Sequence, residues 1–331
     1  MHLDEKDPEG LQIYLARNGW IADDEPLISL GKPGEGNMNY TLRVRTPNRS
    51  LIVKQARGYV EKYPSIAAPT ERAIMEGLFY REIAQNPELH RYMPDLLGID
   101  EGENLLVLED LGDASDFSTC YQPGQAIAAD EIKTLITYLS VLHNQFLTDR
   151  ANPAFANRAM RALNHEHIFI YPFLVDNGVN LDGVQAGLQA LAMSYKNPAL
   201  AEAARQLGQR YLADQPGVPG TLLHGDYYPG SWLRTDSGVK VIDPEFCFYG
   251  PAEFDLGVML AHLHLAQQPE WVHQQVLAGY VRHGGFDEQL LRRFTGIELL
   301  RRLIGLAQLP LSLSLDEKSQ LLQLATTLVI G

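Results

Sequence analysis

Leu222-Leu223-His224-Gly225-Asp226-Tyr227-Tyr228-Pro229-Gly230-Ser231-Trp232 is the stretch on which the reading of this chain turns. It is followed by Val241-Ile242-Asp243-Pro244-Glu245-Phe246. In each, a short apolar run of strand type leads into a turn that carries an acidic side chain. Asp226 sits in a tight loop, and Asp243 follows 17 residues later. Side chains two apart on an extended stretch face the same side, which makes Asp243 and Glu245 a natural pair. Such a pair suits Mg²⁺, a hard cation that prefers carboxylate oxygens. One carboxylate to take the proton of a hydroxyl, and others to hold a metal on phosphates, are what phosphoryl transfer requires. Aspartates are also common in turns, so either loop alone reads equally well as turn chemistry.

Upstream, the texture is different. Residues 8–20 read as a short helix stopped at Gly19, and residues 27–55 read as strands around a glycine-rich turn, Gly31-Lys32-Pro33-Gly34-Glu35-Gly36-Asn37-Met38-Asn39-Tyr40. Glycines let a turn approach phosphate oxygens. Gly36 is followed by Asn37-Met38, so this is no Walker A loop. Lying between strands, it is no Rossmann fingerprint either. Lys54 ends the apolar strand Leu51-Ile52-Val53, where an edge-strand lysine is the plain alternative. A helix is predicted over 70–85 with Thr70 as N-cap, and a hairpin over 97–109. Residues 57–68 carry no clear assignment. Beyond Gly112 the chain reads as helical over 129–148, 181–194, 197–213, 269–282 and 287–308. The expectation is an α+β, two-lobed chain: a small antiparallel-sheet lobe over 1–112 and a larger, mostly helical lobe over 113–331.

The order of these features resembles a known family. Glycine hairpin, strand lysine, helix glutamate, Leu108-Glu109-Asp110-Leu111, loop aspartate and metal aspartate follow the protein-kinase-like order. The chain is similar to the aminoglycoside phosphotransferase and choline kinase group of small-molecule kinases. Asp243-Pro244-Glu245-Phe246-Cys247-Phe248-Tyr249-Gly250-Pro251, Phe254-Asp255-Leu256-Gly257 and Arg301-Arg302-Leu303-Ile304-Gly305 look most like the 5-methylthioribose kinases within it. The resemblance implies a bilobal protein-kinase-like fold and ATP-dependent phosphorylation of a small, sugar-like hydroxyl acceptor, with ATP and Mg²⁺ as cofactors. It implies Asp226 as the catalytic carboxylate, Asp243 and Glu245 as metal ligands, and Lys54 on the phosphates. Gly34, Gly36, Asn37 and Asn39 would line the nucleotide turn. Backbone groups around Glu109 and Leu111 would meet adenine, and Ser231 stands where relatives carry a metal-binding Asn. Asp255 would brace the catalytic loop, or serve simply as an acidic residue at a helix N-terminus.

Two placements stay open. Lys54 needs a partner among Glu71, Glu76 and Glu82; the family's spacing favours Glu76, whereas helical periodicity puts Glu71 and Glu82 within the apolar face. Arg301 and Arg302 lie in an apolar helical run and need a carboxylate, a phosphate or a substrate group; structural ion pairs are the alternative to a catalytic role. His165/His167 and His262/His264 lack the i, i+4 spacing of a helical zinc site. A nucleotide-binding pseudokinase with a regulatory role is the competing reading of the whole.

Composition sets the outer bounds. Lys plus Arg number 27 against 41 Asp plus Glu, a net charge of −14, which argues against nucleic acid or an anionic membrane as partner. Positive charge for phosphates must then be local, and Lys54, Arg301 and Arg302 are its candidates. Cys120 and Cys247 form no disulfide framework, the N-terminus has no apolar signal segment, and no apolar run is long enough to span a membrane, so a cytoplasmic protein is expected. A homodimer is compatible with all of this.

Overall fold

The structure, a computed structural model, describes residues 1–34, 38–213 and 219–331. The chain divides into two compact units. The first holds Met1–Ser115 and Arg234–Phe246; the second holds Asp116–Leu233 and Cys247–Gly331. A single break near residue 112 would leave 234–246 with the later residues. The chain instead returns, because the carboxylates at 243 and 245 find their cationic and amide partners in the first unit.

The first unit opens with α1 (Pro8–Arg17). Asp7 caps it by accepting from Gly10 N at 2.9 Å, and Pro8 supplies the preset φ of a first helical position. Five antiparallel strands follow in the order β1-β2-β3-β7-β6: β1 Ser29–Gly31, β2 Tyr40–Arg45, β3 Ser50–Gln55, β6 Leu96–Asp100 and β7 Leu105–Glu109. Residues 57–68 form a further hairpin, β4 (Tyr59–Val60) with β5 (Tyr63–Ala67). The period-2 alternation of β3 then decides the site. Val53 stands in register with Leu42 and Val107 and packs with Leu11 and Leu15 of α1 in one core. Its neighbour Lys54, in register with Thr41 and Leu106, faces the other way, toward α2 (Arg72–Ile83). α2 lies close on β6 and β7 because residue 77 is glycine: a Cβ there would stand 2.6 Å from Ile99 Cδ1 and 2.8 Å from Leu106 Cδ2. The helix begins at Arg72 with Glu71 at the cap position and no side-chain cap bond, so Thr70 does not cap it. A short α3 (Pro87–His90) leads to β6. The returning segment contributes the strand Gly238–Val241, tied by Val241 N to Tyr92 O at 2.7 Å.

The second unit is mostly helical: α4 (Ala129–Gln145), α5 (Arg158–His165), α6 (Leu188–Met193), α7 (Pro198–Leu212), α8 (Glu253–Leu265), α9 (Glu270–Gly279), α10 (Glu288–Ile304) and α11 (Leu315–Ile330). The helix expected over 181–194 is shorter. Gly187, at φ +86°, interrupts it, leaving a 3₁₀ turn at Leu181–Gly183 before α6. Two short antiparallel strands, β8 (Thr221–Leu223) and β9 (Phe248–Gly250), pair and deliver the chain to the His224–Asp226 loop. α10 packs along both α8 and α11. Gly257 permits the first approach, since a Cβ there would meet Phe294 Cβ at 2.9 Å, and Gly296 the second, where Ala325 O would lie at 2.6 Å. No helix among the described residues is long and apolar enough to cross a membrane.

Candidate active site

In the first unit, Lys54 Nζ donates to Glu76 Oε1 at 2.7 Å and pairs with Asp243 Oδ1. Lys54 is 8% exposed and Glu76 fully buried. Glu71 is exposed and Glu82 half-buried, so the periodicity that put both within the apolar face of α2 is corrected. The helix keeps that face for the sheet and admits one carboxylate, because one ammonium is there to receive it. Burial opposes the Lys54 charge, but Asp243 and Glu76 together raise its pKa well above the ordinary lysine value. Burial also raises the Glu76 carboxyl, against the pull of Lys54. Asp243 lies at φ +64°, a left-handed backbone that Asp tolerates better than most residues.

Glu245, two residues on, is 5% exposed. It accepts from Asn39 Nδ2 at 3.0 Å and lies 3.5 Å from Arg72 Nε. Burial, followed by the charge of Glu76, pushes its carboxyl up to about 8. Arg72 is fully buried and was not singled out from the sequence. Its guanidinium donates to Asn39 Oδ1 and to the carbonyls of Met38, Arg57, Tyr59 and Pro69, tying the turn after residue 37 to the β4–β5 hairpin. A signal existed: an arginine in the first turn of a helix opposes the macrodipole and needs another reason to be there.

These residues fit a magnesium ion in a limited sense. Among the described residues no group of three or more His, Cys, Asp or Glu is arranged to hold a metal. Mg²⁺ in nucleotide sites, however, takes one or two carboxylates and completes its shell with phosphates and water. Crowded buried carboxylates raised above their ordinary range are what a site awaiting positive charge presents.

In the second unit, the catalytic-loop candidate is held from behind. Asp255, in the first turn of α8 and fully buried, accepts from His224 N at 2.7 Å and Gly225 N at 2.9 Å, and lies 3.2 Å from His143 Nε2. Gly225 has φ +85°, which turns the chain sharply before Asp226. Arg302 Nη2 lies 3.5 Å from Asp226 Oδ1, and its guanidinium sits 5.0 Å over the Tyr228 ring. Desolvation raises the Asp226 carboxyl, with Arg302 and Arg301 opposing. Both arginines are bound to Glu298, one helical turn earlier on α10. The i, i+3 and i, i+4 spacing was in the sequence and could have flagged Glu298.

The remaining candidates divide. Gly34 is exposed in open space, and Gly36 and Asn37 lie outside the described residues. Glu109 N donates to Asp95 O at 2.9 Å, and Leu111 is half-buried just beyond the end of β7. Ser231, 2% exposed, donates through Oγ to Asp226 O at 2.9 Å, closing the loop on itself.

A sheet lysine held by a helix glutamate and facing a loop aspartate is the arrangement of the kinase class of phosphotransferases. Residues 30–292 match the family model described as the phosphotransferase enzyme family, and the chain belongs to that family. Among its relatives, the methylthioribose kinase of Geobacillus sp. (strain WCH70) is 26% identical over 361 residues, covering 95% of this chain and 87% of that protein. The methylthioribose kinase of Yersinia pestis (strain Pestoides F) is 28% identical over 269 residues, covering 76% and 62%. Among solved structures, the choline kinase of Streptococcus pneumoniae in complex with AMP is similar over 97% of this chain and 98% of that one, with TM-score 0.53 at 14% identity. A microcompartment-associated aminopropanol kinase gives TM-score 0.53 at 16% identity, over 97% and 95%. The fold is therefore the protein-kinase-like fold of small-molecule kinases, as expected from the sequence, and the chain is a phosphotransferase of that kind.

Proposed function

We propose that the protein transfers the γ-phosphoryl group of ATP to a hydroxyl of a small, sugar-like metabolite, with methylthioribose or a near analogue as acceptor. The observation that carries this reading is the set of buried Lys54, Glu76 and Glu245 with half-buried Asp243, in which one ammonium and two metal-type carboxylates converge. Likeness to methylthioribose kinases along most of the chain supports the acceptor class.

Lys54, fixed by Glu76, pairs with nucleotide phosphate oxygens. Asp243 and Glu245 would hold Mg²⁺, which when bound neutralises charge on the β- and γ-phosphate oxygens. Asn39 and Arg72 keep the Glu245 carboxylate in place. Asp226 aligns the acceptor hydroxyl and takes its proton. The hydroxyl oxygen bonds to the γ-phosphorus as the bond to the bridging oxygen of ADP breaks. Desolvation makes Asp226 a stronger base than a free carboxylate, which suits that task. Arg302 and Arg301 supply the positive charge beside it.

A coupled ATP-consumption screen over methylthioribose, other pentoses, aminoglycosides and choline tests the reading. Turnover is expected with a pentose-type acceptor. In Asp226→Asn it should fall by about 10²–10⁴-fold with nucleotide binding retained. ATP binding without phosphorylation of any acceptor overturns the enzyme reading, and unimpaired turnover in Asp226→Asn overturns the role of Asp226.

A further inference from the structure

Behind Asp226, one buried carboxylate gathers three nitrogen-bearing side chains. Glu298, 1% exposed on α10, accepts from Arg302 Nε at 2.6 Å through Oε1. Arg301 Nη1 lies 3.1 Å from Oε2 and 3.3 Å from Oε1, and His262 Nε2 of α8 lies 3.2 Å from Oε1. His262 is fully buried, and its other nitrogen, Nδ1, is 2.5 Å from Tyr121 Oη.

The direction of each hydrogen bond follows from charge. Burial opposes ionisation of Glu298, but the guanidiniums of Arg301 and Arg302 hold its carboxyl well below the usual range, so it can only accept. His262 must then present its N–H at Nε2. Burial pushes its imidazolium down to about 4, so the ring is neutral and Nδ1 carries a lone pair. Nδ1 accepts from the Tyr121 hydroxyl. The chain reads Tyr121 to His262 to Glu298, with Arg302 donating to Glu298 and, through its other arm, to Asp226.

We propose that Glu298, oriented by His262 and Tyr121, is a positioning residue that fixes the Arg302 guanidinium and thereby the aim and basicity of the Asp226 carboxylate. This rests on Asp226 being the base of the proposed reaction. Asp226 is faced by Arg301, Arg302 and Glu298 of α10 and by His224 of its own loop. The two carboxylates and two guanidiniums balance. Neutralising Glu298 leaves both arginines directed at Asp226 alone, which lowers the basicity of Asp226 and lets Arg302 rotate. A merely structural ion-pair cluster would lower stability and leave the kinetics of the folded enzyme unchanged.

The test uses the full chain with Glu298→Gln, Glu298→Asp and Tyr121→Phe. Glu298→Gln is expected to lower kcat about tenfold to a hundredfold, as misplaced catalytic groups do, with KM for ATP within about twofold of the parent. The acid limb of its kcat–pH profile should move to lower pH, and Glu298→Asp, which keeps the charge, should restore the limb. Tyr121→Phe should shift kcat the same way by a smaller factor, and it serves if Glu298→Gln does not fold. The ¹⁵N shifts of His262 in the parent, which need no turnover, should show Nε2 protonated and Nδ1 bare. Parental kcat and pH profile in folded Glu298→Gln or Tyr121→Phe overturn the proposal, and so does an Nδ1-protonated His262. An absence of parental turnover with every acceptor counts instead against the proposed function, and the ¹⁵N measurement still decides the direction of the chain.

Discussion

Asp226 shows how one side chain carries opposing demands. Its carboxyl is raised by desolvation although two arginines stand near it, so the ionised form is disfavoured by folding. Below about pH 4, folded and unfolded forms are both protonated and nothing is lost. As pH rises from there through the elevated folded value, the native state loses stability relative to an uncharged residue. Asp226→Asn is therefore expected to unfold at a higher temperature than the parent at pH 7, with the advantage vanishing toward pH 4; thermal melts across that range check it. The residues that carry the resemblance were legible because they follow one another along the chain in a fixed order: Lys54, Glu76, Asp226, Asp243, Glu245. Arg72, His262 and Tyr121 were not, since their partners are distant in sequence: 33 residues separate Arg72 from Asn39, and 141 separate Tyr121 from His262. Periodicity alone would have chosen Glu71 or Glu82 for Lys54. It measures apolar facing and is blind to a single buried cation.

At the level of elements, α10 is the member whose packing matters most to Asp226, because it bears Glu298, Arg301 and Arg302. Its two neighbours approach through glycines. Gly257→Ala would press α8 against Phe294 and the Thr295 amide, and Gly296→Ala would press α10 against the Ala325 carbonyl. Backbone cannot yield as a side-chain tip does, so each is expected to cost about 1–3 kcal/mol, read as a lower denaturation midpoint in urea. Most helices of the second unit could be read from the sequence, α4, α7, α9 and α10 among them. α8 could not. Twelve of its residues are buried on every side, so it shows no apolar stripe against a polar one. The strand alternation that sends Val53 and Lys54 to opposite faces was legible as a hairpin, but which face held the helix was not.

For the molecule as a whole, acid stability is set by buried imidazoles as well as by carboxylates. His264 is pushed down to about 4 by burial and by the His273 ring 4.2 Å away, and His262 also falls to about 4. The unfolded chain takes up these protons below about pH 6.5 and the folded chain does not. Stability is present above that value and lost as pH falls toward 4. Replacing His264 by Asn should flatten the loss, measured as the slope of unfolding free energy between pH 6.5 and 4; an unchanged slope would count against it.

The return of Arg234–Phe246 to the first unit bears on how the protein is made. A ribosome emits Met1–Ser115 first, yet the partners that Lys54 and Arg72 find at Asp243 and Glu245 are still unsynthesised. At about 5–20 residues per second, roughly ten seconds of translation separate the two pieces. Through that interval Lys54 has Glu76 for company, and the nascent sheet stands without the arm that completes its charge set. Of the second unit's helices, α4–α7 are made before the first unit's last residues, and α8–α11 after them. The order of synthesis and the order of completion therefore run opposite ways, and a fragment ending at residue 115 could be born folded in its sheet but never whole.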